Sequence, residues 1–316
     1  MKKLLTIMLL LITTSLLAGW KWEKLDTGEG PPIYENSGDS FLDFHLAYDP
    51  MMEKLVLTYY NEETSMSDTW LFDGYNWTYD CTHLASSNQY NHQFEPNQMF
   101  YDESNKMLMD VRLYYCNPNP PHPYLCNLLC KKDNSDCWNC FLETEATSLT
   151  TYDINRRKAL FFHNSFNSIF EWDGYQIHEV YFDKYYSADI VVYDEMSKLV
   201  IMYDWNRDIT LEYDGVEIQE YEGLGSIATG IMSMSYNPKF HGVVAGFLPG
   251  NTYLYRNHSW QLLIGSSEDE LPISLVGRMI YFPPTDQFLL LTFPWGEGGA
   301  LIIYSLVRRH ERPFQK

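Results

Sequence analysis

Along this chain, bulky apolar side chains alternate with polar ones in short bursts, and several bursts end in the same punctuation. From Asp68 to Trp77 the order is Asp-Thr-Trp-Leu-Phe-Asp-Gly-Tyr-Asn-Trp, with Trp70 and Phe72 on alternate positions, then Asp73-Gly74, then Trp77 opening the next run. Period-two alternation marks a half-buried strand, and Asp-Gly supplies the positive φ of a tight two-residue hairpin. The unit returns at Phe170-Glu171-Trp172-Asp173-Gly174 and Leu211-Glu212-Tyr213-Asp214-Gly215, and more loosely at Tyr253-Leu254-Tyr255-Arg256-Asn257 before Trp260.

A second pattern precedes the first in each unit. Tyr48-Asp49, Tyr101-Asp102, Tyr152-Asp153 and Tyr193-Asp194 recur, weaken to Tyr236-Asn237 and reduce to Phe282-Pro283, each followed by an apolar run such as Leu55-Val56-Leu57 or Leu199-Val200-Ile201-Met202. The tyrosines, with Phe282 in the last unit, fall 53, 51, 41, 43 and 46 residues apart. A period of about 40 to 50 residues with about four short strands per unit predicts a β-propeller. Six units predict an all-β, six-bladed ring. The continuous apolar runs read as strands covered on both faces, and the alternating runs as the next strands out.

The sixth unit supplies strands at Phe288 to Thr292 and Ala300 to Leu306 and then runs into charged residues with no hairpin signal. Its outermost strand is missing. Trp20 to Leu25, an alternating run without a nearby partner, resembles the outer strands that carry Trp77 and Trp260. The N-terminal strand is therefore expected to close the last blade and cover an otherwise exposed edge.

These units resemble the kelch-like repeats of secreted bacterial proteins: Tyr-Asp, a turn, an apolar strand, a variable loop, Asp-Thr-Trp, an aromatic, Asp-Gly and a closing Trp. Tyr48 through Trp77 matches nearly throughout, and Tyr152 through Gly174 and Tyr193 through Gly215 match in part. Where kelch repeats carry paired glycines, this chain has Tyr59-Tyr60, His163-Asn164, Tyr203-Asp204, Phe247-Leu248 and Phe293-Pro294, so the repeats are degenerate. The resemblance implies a propeller used for binding or scaffolding, with enzymes in a minority. Fold likeness by itself does not decide function.

Charge and leader set the compartment. Lys2 and Lys3 precede an apolar run from Leu4 to Leu17 that ends at Ala18-Gly19. That is the form of a secretory signal peptide over residues 1–18, too short for a comfortable membrane span. Its removal leaves residues 19–316 as one propeller domain with 20 basic and 42 acidic residues, a net charge of −22. Such a surface argues against nucleic acid or an anionic membrane as partner. A secreted or periplasmic monomer without a membrane span is expected.

All six cysteines fall in one corner of the chain. Cys116, Cys126, Cys130, Cys137 and Cys140 lie in or just beyond an insertion at about 113–140 of the second unit, and Cys81 lies in the connection leading into it. Behind a signal peptide they are expected as disulfides, with 15 pairings open. The spacing of Cys126, Cys130, Cys137 and Cys140 also fits four thiolates around zinc, but the export route favours bridges. The segment Pro118 to Tyr124 reads as a stapled projection.

A second candidate is the loop Tyr203-Asp204-Trp205-Asn206-Arg207-Asp208. Asp204, Asn206 and Asp208 alternate as calcium ligands do, without the glycine and final glutamate of an EF-hand. Trp205 and Trp295, with Glu297 near the latter, also have the chemistry to stack a sugar ring. No metal, cofactor or catalytic residue is assigned, since Gly-x-Ser-x-Gly, His-Glu-x-x-His and a phosphate loop are all missing from the sequence. The expected role is a noncatalytic binding or scaffold module with a protein partner. The alternative is a carbohydrate-binding protein or carbohydrate-active enzyme using the variable-loop face.

Overall fold

The structure, a computed structural model, describes residues 20–28, 30–31, 44–61, 64, 66–84, 99–115, 125–132, 137–145, 149–163, 165–225, 231–247, 250–265, 277–292 and 301–308. These residues form six four-stranded antiparallel sheets. Blade 1 is β2 (Phe44–Asp49), β3 (Lys54–Asn61), β4 (Met66–Phe72) and β5 (Trp77–Leu84), in that spatial order. Blade 2 is β6 (Met99–Asp102), β7 (Met107–Tyr115), β8 (Leu125–Lys132) and β9 (Trp138–Glu145). Blades 3 and 4 are β10 (Leu149–Asp153), β11 (Lys158–Phe162), β12 (Ser165–Trp172), β13 (Ile177–Ser187), and β14 (Ile190–Asp194), β15 (Leu199–Asp204), β16 (Ile209–Tyr213), β17 (Ile218–Glu222). Blade 5 is β18 (Ile231–Asn237), β19 (Gly242–Phe247), β20 (Asn251–Arg256) and β21 (Ser259–Ile264). Blade 6 takes β22 (Gly277–Phe282), β23 (Gln287–Thr292) and β24 (Ile302–Arg308) and adds β1 (Trp20–Lys24) outside β24. The chain is a six-bladed β-propeller.

The apolar side chains gather between blades. Leu46, Leu55, Leu57 and Phe72 of blade 1 share a cluster with Phe282, Leu289, Leu291 and Ile303 of blade 6. Five further clusters occupy the five other seams. The expected doubly covered runs are there: Leu55 to Leu57, Ala159 to Phe162 and Val200 to Met202 are all buried. In blade 2, β7 and β8 pair as far as Tyr115 opposite Leu125, so residues 125–132 of the cysteine-rich segment belong to the sheet.

The Tyr-Asp repeat, Tyr-Asn in blade 5, closes the turn after the inner strand in blades 1 to 5. Asp49 accepts the backbone N–H of Met51 at 2.8 Å, Asp102 that of Ser104 at 2.8 Å, and Asp194 that of Met196 at 2.9 Å. Asn237 does the same for Lys239 at 2.9 Å. Each turn then needs one residue in the left-handed region, met by Glu53, Lys106, Arg157, Lys198 and His241. The tyrosine reaches the preceding blade: Tyr152 Oη donates to Asp102 Oδ1 at 3.1 Å. In blade 6, Phe282 pairs with Gln287 as Asp49 pairs with Lys54, so the sixth copy is Tyr281-Phe282. The sequence spacing placed it one residue later. Here a 3₁₀ turn over Pro283–Thr285 replaces the carboxylate cap, with Asp286 N–H donating to Pro283 O at 3.0 Å.

The Asp-Gly turns also differ from expectation. Phe72 pairs with Trp77, so residues 73–76 form a four-residue connection, and residues 173–176 and 214–217 do likewise. The cause is the aspartate, whose Oδ1 accepts two backbone N–H groups, from Tyr75 at 2.9 Å and Asn76 at 2.8 Å in the first copy. The two-residue hairpin occurs instead in the looser copy, where Asn257 and His258 both have positive φ between Arg256 and Ser259. Glycine at the turn serves two ends. Gly74, Gly174 and Gly215 have φ near +100°, and a Cβ there would lie 2.8, 2.7 and 2.9 Å from Thr285, Asn105 and Arg156 of the preceding blade.

The N-terminal strand closes the ring as expected, with β1 antiparallel to β24 and Trp22 opposite Leu306. It also copies an outer-strand contact. Trp138 Nε1 of blade 2 donates to Thr69 Oγ1 of blade 1 at 3.0 Å, and Trp260 Nε1 of blade 5 to Thr210 Oγ1 of blade 4 at 2.8 Å. Trp22 Nε1 donates to Thr252 Oγ1 of blade 5 at 3.1 Å. Trp22→Phe, which leaves Thr252 without this donor, is expected to cost about 1–2 kcal/mol in denaturant unfolding. Trp22→Ala should cost roughly 3–5 kcal/mol by emptying the seam. Unfolding midpoints unchanged by either substitution would contradict closure through β1.

Candidate functional site

Each inner strand contributes three residues to an axial channel of about 210 Å³. Leu46, Met99, Ile190, Val191, Met234 and Met279 make most of it apolar, Thr150, Thr151, Ser233 and Ser235 add hydroxyls, and Arg278 is the charged residue in the lining. Pockets for drug-sized organic ligands run to about 300–1,000 Å³, and the channel falls below that range. Arg278 lies over the Phe44 ring at 5.9 Å. Next along β2, His45 Nδ1 meets the fully buried Asp110 Oδ1 at 2.6 Å across the seam to blade 2.

Antiparallel order sends successive connections to opposite ends of each blade. The loops between second and third strands share one end with the links between blades, and the Tyr-Asp and Asp-Gly turns share the other. On the loop end, Tyr203, Asp204, Trp205, Asn206 and Asp208 come together in the single turn from β15 to β16, while Trp295 and Glu297 lie outside the described residues. Asp204 is buried and its oxygens are engaged: Oδ1 accepts from the N–H of Asn206 and Arg207 at 2.9 and 3.0 Å, and Oδ2 from Ser187 Oγ and from Arg207 Nε at 2.6 Å. Burial opposes its ionisation, but the Ser187 and Arg207 hydrogen bonds prevail and hold its pKa below the usual value. Asp208, with φ 52°, accepts from Tyr203 Oη and from Leu224 N–H at 2.9 Å. The alternation Asp204, Asn206, Asp208 thus builds a turn of the same kind as the inner ones. Trp205, 40% exposed, is the aromatic side chain it presents to solvent.

The cysteine corner is a seam staple. Cys81 on β5 bonds Cys137, the residue just before β9, joining blades 1 and 2, and Cys130 bonds Cys140 across β8 and β9. Cys116, the Cys126 side chain and the segment Pro118 to Tyr124 lie outside the described residues. The same seam holds the Trp138 to Thr69 hydrogen bond and a Lys132–Asp80 ion pair at 2.5 Å.

The turn end was not singled out from the sequence, and it carries exposed apolar side chains at repeated positions. Tyr75, Tyr175 and Val216 follow the glycine of each Asp-Gly turn, and Met51, Ile154 and Met196 stand in the Tyr-Asp turns; Tyr175 is 86% exposed. The signal was present as the residue after Asp-Gly. Beneath these turns run ionic anchors. Glu171 of blade 3 accepts from Arg156 Nη1 and Lys158 Nζ, both at 2.5 Å, and from Tyr213 Oη of blade 4 at 3.2 Å. Glu212 of blade 4 accepts from Tyr255 Oη of blade 5 at 2.8 Å and meets His258 Nδ1 at 2.9 Å.

Burial disfavours ionised Glu171, yet the hydrogen bonds from Lys158 and Arg156 outweigh it and lower its pKa. A folded pKa below the unfolded one gives stability that is complete above the unfolded value of about 4.3 and is lost as pH falls through the folded value. Glu171→Gln should therefore be less stable than the parent at pH 7, by about 1–3 kcal/mol. The gap should narrow below about pH 4. A gap in unfolding free energy independent of pH would assign the loss to packing instead.

No protein-family model matches this chain, and no curated protein sequence does. Solved structures resemble it in fold. A Bacteroides thetaiotaomicron protein of unknown function superposes with a TM-score of 0.60 at 8% identity, covering 91% of this chain and 76% of that one. An auxiliary nutrient binding protein from Bacteroides ovatus gives 0.58 at 9% identity, covering 92% and 78%. A putative oxidoreductase (glucose dehydrogenase) from Thermus thermophilus gives 0.54 at 9% identity, covering 92% and 100%. At such identities the likeness is one of fold alone. The kelch-like pattern remains a resemblance carried by the repeat residues.

Proposed function

We propose that this chain is a noncatalytic binding or scaffold module working outside the cytoplasm, with a protein as its partner. The observation that carries this reading is the repetition of exposed apolar side chains on the turn end: Tyr75, Tyr175, Val216, Met51, Ile154 and Met196. Apolar groups gathered on one face of a folded protein mark interaction surfaces, and tyrosine and methionine are enriched where proteins meet. Two disulfides fit export from the cytoplasm. Among the described residues no helix is long and apolar enough to cross a membrane.

The glycan reading rests on exposed Trp205 of the loop end. One experiment separates the two. Immobilised mature protein is exposed to the extracellular fraction of its source and, separately, to a glycan array, alongside Tyr175→Ser/Val216→Ser and Trp205→Ala variants. The protein-partner reading expects one specific captured protein, reduced about tenfold or more by the turn-end pair, and a blank array. Array binding abolished by Trp205→Ala, with no protein captured, would replace it by the glycan reading.

A further inference from the structure

The blade 1–2 seam holds an arrangement that bridging alone does not use. Cys81 and His83 stand two residues apart on β5 and so project from the same face of the strand, toward Cys137 just before β9. The Sγ atoms of Cys81 and Cys137 and a ring nitrogen of His83 all lie within 4.8 Å of one another. His83 Nδ1 is 3.3 Å from Cys137 Sγ. The imidazole is buried and the two cysteines are half-buried, so the group is shielded without being sealed.

We propose that, when the Cys81–Cys137 bridge is reduced, Cys81, His83 and Cys137 form a three-ligand site for a closed-shell, thiophilic cation, zinc(II) or copper(I). Two sulfurs and one imidazole are the donors such ions select. The cysteine Cα atoms are 5.8 Å apart and the three donor atoms lie within 4.8 Å of one another, so side-chain rotation that parts the two sulfurs would set all three about 2.0–2.3 Å from a common point. Three protein ligands leave a fourth tetrahedral position open on zinc, whereas copper(I) is content with three. This set differs from the Cys126, Cys130, Cys137 and Cys140 spacing legible in the sequence, because Cys130 is paired with Cys140.

The conversion balances with an external dithiol as reductant. Its thiolate attacks one bridge sulfur, the S–S bond breaks with its electron pair passing to the other sulfur, and that sulfur takes a proton. The second thiol of the reductant then displaces the mixed disulfide, leaving two protein thiols and an oxidised dithiol. The cation displaces the two thiol protons and takes the lone pair of neutral His83, so binding strengthens as pH rises. Reduction need not open the seam. The Trp138 to Thr69 hydrogen bond and the Lys132–Asp80 ion pair hold it independently.

The test uses the whole mature protein, reduced anaerobically with a phosphine, stripped of metal, and titrated with cobalt(II) as a spectroscopic stand-in. Zinc(II) and, separately, copper(I) then compete. The proposal expects one equivalent bound with thiolate-to-cobalt absorption, and no binding by the oxidised protein. His83→Gln should weaken affinity at least about tenfold, while a Cys130→Ser/Cys140→Ser variant should bind as the parent does. Displacement by zinc or by copper(I) at the lower free concentration identifies the preferred ion. Failure of the reduced, folded protein to bind overturns the proposal. So does unfolding on reduction by near-ultraviolet circular dichroism, or binding that survives His83→Gln but is lost with Cys130 and Cys140.

Discussion

A four-stranded blade has two faces and buries neither without a neighbour, so everything in this molecule depends on how one blade is fastened to the next. The inner fastening is the Tyr-Asp pair. The aspartate folds its own turn by accepting backbone N–H groups, as Asp102 does from Ser104 at 2.8 Å, and the same carboxylate then receives the tyrosine of the following blade, Tyr152 at 3.1 Å. One residue thus shapes a blade and registers it against the next. Tyr193 stands in the same relation to Asp153, and Tyr101 and Tyr236 feel the charges of Asp49 and Asp194.

Farther from the axis each seam is individual. Third-strand glutamates receive tyrosine hydroxyls from the next blade at seams 3–4 and 4–5, outer tryptophans reach threonines at seams 1–2, 4–5 and 5–6, and disulfide chemistry reinforces seam 1–2. Buried Glu171 is tolerated because two cations and a hydroxyl meet it; removing any one partner leaves charge in a dry place. This distribution puts exposed apolar groups on the turns.

Much of the fold was legible because a propeller repeats. Alternation, the Tyr-Asp spacing and the unpaired Trp20 to Leu25 pointed to blade number and to closure, since strand period and a missing edge are local properties of sequence. Register at irregular turns was not legible. Phe282-Pro283 looked like the sixth Tyr-Asp copy, but two prolines build a 3₁₀ turn that shifts the equivalence to Tyr281-Phe282. The Asp-Gly turns looked like two-residue hairpins because the side-chain acceptor that lengthens them is invisible without coordinates. The site was less legible still. Asp204, Asn206 and Asp208 have a ligand-like spacing that the turn consumes, and His83, a scattered histidine in the sequence, meets Cys81 and Cys137 only through the pairing of blades.

The fastening by tyrosine is measured most directly by titrating the phenols. Burial first, with neighbouring carboxylates added, pushes Tyr101, Tyr152 and Tyr213 up to about 12. A raised folded pKa means stability that is complete below the unfolded value of about 10 and is lost as pH rises through the folded one. Ultraviolet titration of the folded protein should therefore show a class of tyrosines that stays protonated past pH 10 and ionises near 12 as near-ultraviolet circular dichroism collapses. Ionisation of every tyrosine in a single step near pH 10, with tertiary structure intact, would contradict the account.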